Sequence, residues 1–204
     1  MLIKQLPVGQ MANYCYMICK PETALCVLID PSWDMDKIEK EVAKENSKIA
    51  FVILTHGHYD HSKYLDTLTE KLNVPVYIEE SDVCMLEMSK KSIKTFSKNT
   101  ILKEKGFEFQ IIHTPGHSPG SCCILIEDNL FTGDTLFINA CGRVDLPGSN
   151  SEDMRQSLLK LAKLEPGIIV YPGHSYSQKN SSTIGEESKN NPVIALARKG
   201  KEYF

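Results

Sequence analysis

Histidine is scarce in this 204-residue chain and its placement constrains the fold: five of the six histidines lie, with two aspartates, in four short and widely separated pieces. His56, His58, Asp60 and His61 fall within Thr55-His56-Gly57-His58-Tyr59-Asp60-His61, and His117, Asp134 and His174 follow at long intervals. Imidazole nitrogens and carboxylates suit a borderline divalent cation such as zinc, with iron and manganese also suited, and this many donors exceeds what one tetrahedral ion takes. Two adjacent ions are the natural reading, so the fold has to bring four distant stretches together.

Each piece comes after an apolar run. Residues 49–54 have the continuous apolar pattern of a strand buried on both faces, and the histidine cluster begins where that run stops. His117 follows a strand pattern at 107–112 through Thr114-Pro115-Gly116, Asp134 follows 130–131 through Thr132-Gly133, and His174 follows 168–171 through Pro172-Gly173. Glycine and proline there let the backbone turn sharply, so that loops converge over one edge of the sheets. Further strands are expected over 2–6, 14–19, 25–29, 76–78 and 122–126. Helices are expected over 34–45, 64–72, 81–88 and 152–164, the last with the clearest stripe, through Met154, Leu158 and Leu159.

The donor spacing sorts itself into two sites. His56 and His58 are two apart, so in an extended loop they point the same way and share one ion, which His117 completes. Asp60 and His61 reach a second ion from the next turn, His174 completes it, and Asp134 bridges both through its two oxygens. The helical His-x-x-x-His spacing of zinc proteases is absent.

Composition narrows the class. The length fits one domain over residues 1–204, and 42% hydrophobic with 24% charged residues is an ordinary soluble, globular balance. A net charge of -3 and a pI near 6.1 supply no positive field for a phosphate backbone, which excludes nucleic acid as the expected partner. The amino terminus lacks a basic stretch followed by an apolar run, and no segment approaches the ~20 apolar residues that span a bilayer. A cytoplasmic protein with no membrane partner is expected. Its seven cysteines, Cys15, Cys19, Cys26, Cys84, Cys122, Cys123 and Cys141, are expected as reduced, buried thiols. The stretch from Ser89 to Lys105, with six lysines, reads as a solvated helix end and loop rather than an anion site.

The run His56 to His61 matches the His-x-His-x-Asp-His hallmark, and with the later His117, Asp134 and His174 in order the chain resembles the metallo-β-lactamase fold superfamily. That resemblance implies an α/β fold, a four-layered αβ/βα sandwich of two mixed sheets with helices on the outer faces. The segment Thr132-Gly133-Asp134-Thr135-Leu136-Phe137 through Cys141-Gly142-Arg143-Val144-Asp145 is similar to the glyoxalase II group, the hydroxyacylglutathione hydrolases. The likeness is to short bacterial members carrying Gly-Arg-x-Asp, and the stretch after His174 is too short for the carboxy-terminal helical domain of longer glyoxalase II enzymes.

The resemblance implies two divalent ions, zinc foremost, and hydrolysis of a small-molecule thioester such as an S-(2-hydroxyacyl)glutathione-like substrate by a metal-bridging hydroxide. Asp60 then acts as a ligand and as the catalytic residue that orients the hydroxide. Arg143 and Asp145 are candidate substrate-binding residues: Arg143 either pairs with a substrate carboxylate or is a surface arginine held by Asp145. His113 reads as a core or supporting residue and Cys141 as a small buried hydrophobe, since no protein nucleophile is required. Tyr59 and Tyr176 flank ligands and either line the pocket or pack. The rival activities are a mononuclear-iron persulfide dioxygenase-like oxidoreductase and other hydrolases of the fold, such as a lactonase or a tRNA-processing nuclease.

Overall fold

The computed structural model of the chain describes residues 1–88 and 90–201. Ser89, at the head of the lysine-rich stretch, lies outside the described residues. The backbone forms two compact units, Met1–Phe96 and Ser97–Phe204.

In the first unit β1 (Leu2–Val8), β2 (Asn13–Lys20) and β3 (Leu25–Ile29) form an antiparallel meander. Helix α1 (Met35–Lys44) crosses to β4 (Lys48–Ile53), a short turn of helix α2 (Tyr59–Ser62) and helix α3 (Leu65–Leu72) lead to β5 (Val76–Glu79), and two 3-10 turns, Glu80–Met85 and Lys90–Ser92, lead to β6 (Ile93–Phe96). These crossovers make β3, β4, β5 and β6 parallel, giving a mixed six-stranded sheet in strict chain order. Ile38 and Val42 of α1 and Leu65 and Leu68 of α3 recur at three- and four-residue spacings and pack on Met17, Leu28, Val52 and Val76 of one sheet face. Strand residues of the other parity, among them Ile18, Val27, Phe51 and Ile53, are equally buried. Each such side chain contributes roughly 1.5–3 kcal/mol through its burial.

The second unit pairs β7 (Ile101–Glu104), β8 (Phe107–His113), β9 (Cys122–Ile126) and β10 (Asn129–Gly133) antiparallel. A hairpin of β11 (Leu136–Phe137) and β12 (Ala140–Cys141) precedes helix α4 (Ser151–Leu161), which leads to β13 (Ile169–Pro172), parallel to β10, and to the edge strand β14 (Ser182–Thr183). Helices α5 (Ile184–Asn190) and α6 (Pro192–Arg198) follow. Met154, Leu158 and Leu161 of α4 join Val193 and Ile194 of α6 over Ile112, Cys123, Leu130 and Val170 of the sheet.

Some sequence expectations shift. The lysine-rich stretch contains two strands, β6 and β7, instead of a helix end and loop; both end their sheets, and Lys94 and Lys103 are exposed on them, a charge placement that disfavours pairing of an edge strand with other chains. The helix expected over 81–88 is a 3-10 turn, because the Glu79 carboxylate accepts from the Ser81 N–H at 2.7 Å and tightens the first turn. The cysteines are not uniformly reduced and buried. Cys19 and Cys26, facing each other in the β2–β3 register with Cα atoms 4.1 Å apart, form a disulfide, while Cys84 is exposed. Among the described residues no helix is long and apolar enough to cross a membrane.

Candidate metal centre

The donors of the first unit stand where the parallel strands end. Beyond β3, buried Asp30 receives the Thr55 N–H at 2.8 Å on Oδ1 and the Thr55 hydroxyl at 2.6 Å on Oδ2, locking the start of the motif onto the neighbouring strand. The same Oδ2 lies 3.0 Å from His61 Nδ1. A carboxylate only accepts, so the His61 proton sits on Nδ1 and the Nε2 lone pair is left for a ligand. His56 follows the same logic: the Thr55 hydroxyl donates its hydrogen bond to Asp30, so at 3.0 Å it accepts from His56 Nδ1, again leaving the lone pair on Nε2. The ligating atoms available on Asp30, His56 and His61 all lie within 4.8 Å of one another. The His56 and His58 rings meet edge to face with centroids 4.8 Å apart.

Asp60 and His61 ride on α2, whose turn is closed by the His61 N–H on the His58 carbonyl at 3.0 Å. Asp60 is held from outside the motif. Asn13 donates to its Oδ2 at 2.9 Å and to its backbone carbonyl at 3.2 Å, and Trp33 Nε1 donates to that carbonyl at 3.0 Å. Its Oδ2 is 3.5 Å from His61 Nε2. Tyr59 is 48% exposed and packs edge to face on Trp33, with Lys63 Nζ 4.5 Å from the Trp33 ring.

In the second unit β10 and β13 are parallel neighbours, so the turns that follow them, bearing Asp134 and His174, leave the same edge of the sheet. The Gly173 N–H bonds the Gly133 carbonyl at 2.8 Å and ties the two turns together. His174 Nε2 lies 3.2 Å and His117 Nε2 3.5 Å from one oxygen, Asp134 Oδ2. His117 Nδ1 donates to the Arg143 carbonyl at 2.8 Å, so its Nε2 also presents a lone pair. A carboxylate oxygen facing an imidazole lone pair is a repulsive arrangement that a shared cation resolves. The donor chemistry therefore fits divalent metal. Space is equally restricted: a Cβ on Gly142 would collide with the Asp134 backbone carbonyl and one on Gly173 with Asp134 Oδ1. Tyr176, 64% exposed, stacks on the His174 ring with centroids 4.8 Å apart, and Phe137 meets that ring edge-on.

Arg143 and Asp145 form a forked, exposed ion pair at 2.6 and 2.7 Å, and the guanidinium holds the Asp145 carboxyl below its usual range. His113 is buried, with Nε2 2.9 Å from the Pro119 carbonyl. Cys141 is buried, and desolvation pushes its thiol up to about 12, far from a nucleophile's range. Asp30, Thr55, Asn13 and Trp33 are site residues that motif reading does not find. Asp30 left one signal, an acidic residue standing immediately after a strand.

Comparison with known proteins places the chain in a family. The family model of the metallo-beta-lactamase superfamily matches residues 8–174. Among curated proteins, the chain is 32% identical over 194 residues, covering 95% of this chain and 85% of the relative, to a probable polyketide biosynthesis zinc-dependent hydrolase, BaeB, of Bacillus velezensis. It is 29% identical over 213 residues, covering 95% and 98%, to the hydroxyacylglutathione hydrolase GloC of Haemophilus influenzae. Among solved structures, ETHE1 from Myxococcus xanthus superposes with a TM-score of 0.86 at 29% identity, covering 96% of this chain and 85% of that one. The chain belongs to the metallo-beta-lactamase superfamily.

Proposed function

We propose that this protein is a binuclear metallohydrolase that cleaves a small thioester, an S-(2-hydroxyacyl)glutathione-like substrate; His56, His58 and His117 would hold one ion, Asp60, His61 and His174 the other, and Asp134 would serve both. Zinc is the favoured metal. Once bound, such ions polarise a carbonyl and make water acidic enough to attack it near neutral pH. The chain's own residues do the rest. Asp30, the Thr55 hydroxyl and the Arg143 carbonyl fix the ring tautomers of His61, His56 and His117 so that Nε2 of each is an acceptor, and this set of lone pairs is the observation that carries the reading. Asn13 and Trp33 hold Asp60 in one orientation, from which its carboxylate positions the attacking water. Arg143 trades Asp145 for a substrate carboxylate, and the exposed Tyr176 ring offers an apolar wall beside His174. The substrate class draws support from the likeness to GloC and from the Gly142-Arg143-x-Asp145 segment. The acidic balance of the chain supports a small-molecule partner rather than nucleic acid.

The test is a substrate panel of thioesters, a lactone, a β-lactam and a persulfide, run on purified protein of measured metal content with and without oxygen. Two ions per chain and thioester cleavage in the absence of oxygen are expected. One iron per chain with oxygen uptake on the persulfide would replace this reading with an oxidative one.

A further inference from the structure

Strands β4 and β5 run parallel, with Val52 opposite Val76 and Ile53 opposite Tyr77, so the loops that follow them leave the sheet side by side. The first carries His56-Gly57-His58; the second enters the 3-10 turn Glu80–Met85, which contains Asp82. Asp82 is a carboxylate with 0% exposure, in a segment to which neither the ligand motif nor the reaction assigns a role. Its Oδ2 accepts the Gly57 N–H at 3.0 Å. Gly57 is the residue between the two histidines of the proposed ligand pair, so this bond fixes the His56–Gly57 peptide plane in the short link that joins them.

The contact is enforced by shape as well as by charge. A Cβ at Gly57 would lie 2.7 Å from the Asp82 carbonyl oxygen and 2.9 Å from Met85 Cβ, so only glycine lets the motif rest this close to the turn. The turn is itself fixed at its start, where the buried Glu79 carboxylate accepts the Ser81 N–H at 2.7 Å. A charge-assisted bond in a buried site is strong, and a chelating pair of imidazoles tolerates little angular freedom. We propose that Asp82 is a positioning residue: it clamps Gly57 and thereby sets the angle between the His56 and His58 ligands. The inference rests on the metallohydrolase reading above and adds to it the element that orients one ligand pair.

The experiment compares zinc binding of the full chain and its variants by competition with a chromophoric chelator, with the visible spectrum of the cobalt-loaded protein as a second reading of ligand geometry. Asp82→Ala removes the acceptor and is expected to raise the zinc Kd about 10–100-fold and alter the cobalt spectrum. Asp82→Asn keeps an acceptor oxygen and is expected to bind like the parent, which separates orientation from charge. Metal-free melting curves check that the variants fold. Where Asp82→Ala fails to fold, Gly57→Ala disturbs the same contact from the other side and is expected to weaken zinc comparably. Parent-like affinity in Asp82→Ala, or in Gly57→Ala used in its place, overturns the proposal, as does an Asp82→Asn variant as weak as Asp82→Ala. A parent protein that takes up no metal would overturn the metallohydrolase reading as well, and is recognised from the parent alone.

Discussion

At the scale of single residues, the candidate ligands owe their orientation to partners outside the motif. Asp30 receives the Thr55 amide, the Thr55 hydroxyl and the His61 ring together. Removing its carboxylate strands buried donors, each costing about 1–3 kcal/mol, and frees His61 to change tautomer. Asp30→Ala is therefore expected to lose metal affinity by about 10–100-fold and to melt at a lower temperature, measured by chelator competition and thermal denaturation. Unchanged binding would show that His61 is oriented some other way. The seven candidate ligands were legible because their types and spacing are unusual in a chain with six histidines. Asp30 was not, since an aspartate before a proline after a strand is equally an ordinary turn residue; only its three-dimensional partners set it apart. The sequence leaves two roles open for Arg143, and the forked bond to Asp145 is its partner in this structure.

At the scale of elements, what the sequence disclosed depended on length. The stripes of α1, α3 and α4 locate those helices to within a few residues, because ten or so positions suffice to show a 3.6-residue period. Helices α5 and α6 have seven residues each, too few for a period, and are marked mainly by their caps: Thr183 accepting from the Glu186 N–H, and Asn191 accepting from the Val193 N–H ahead of Pro192. Strands β6 and β7 hid among lysines because edge strands carry charge. The cap of α4 gives a direct test. Asn150 Oδ1 accepts the Asp153 N–H at 2.9 Å, while the Asn150 N–H bonds the Gly116 carbonyl beside His117. Asn150→Ala should cost about 1 kcal/mol and lower the melting temperature by about 2–4 °C, as followed by circular dichroism. The backbone bond to Gly116 survives that substitution, so metal content should stay at the parental value.

At the scale of the whole molecule, the two mixed sheets came from the resemblance rather than from local pattern. Pairing such as Asn129 with Ile169 links strands whose connection runs through a hairpin and a helix, and no short window records it. Burial on this scale also sets the response to alkali. Desolvation raises the Cys15 thiol and pushes Cys123 and Cys141 up to about 12, whereas unfolded thiols ionise near ~8.5. The folded state therefore retains protons that the unfolded chain releases. The stabilisation is complete below pH ~8.5 and is lost progressively as pH rises towards about 12, so denaturant midpoints should fall across that window and fall less in a Cys141→Ala variant. The strand directions carry a last consequence. Because the donors follow the carboxyl ends of parallel strands, the tight turns that enter the amino ends of β4, β5 and β10, with Asn46, Asn73 and Glu127 at positive φ and exposed, lie at the far end of those strands. A fluorophore or an immobilising tether placed at those turns can report on catalysis or fix the enzyme to a support without entering the chemistry.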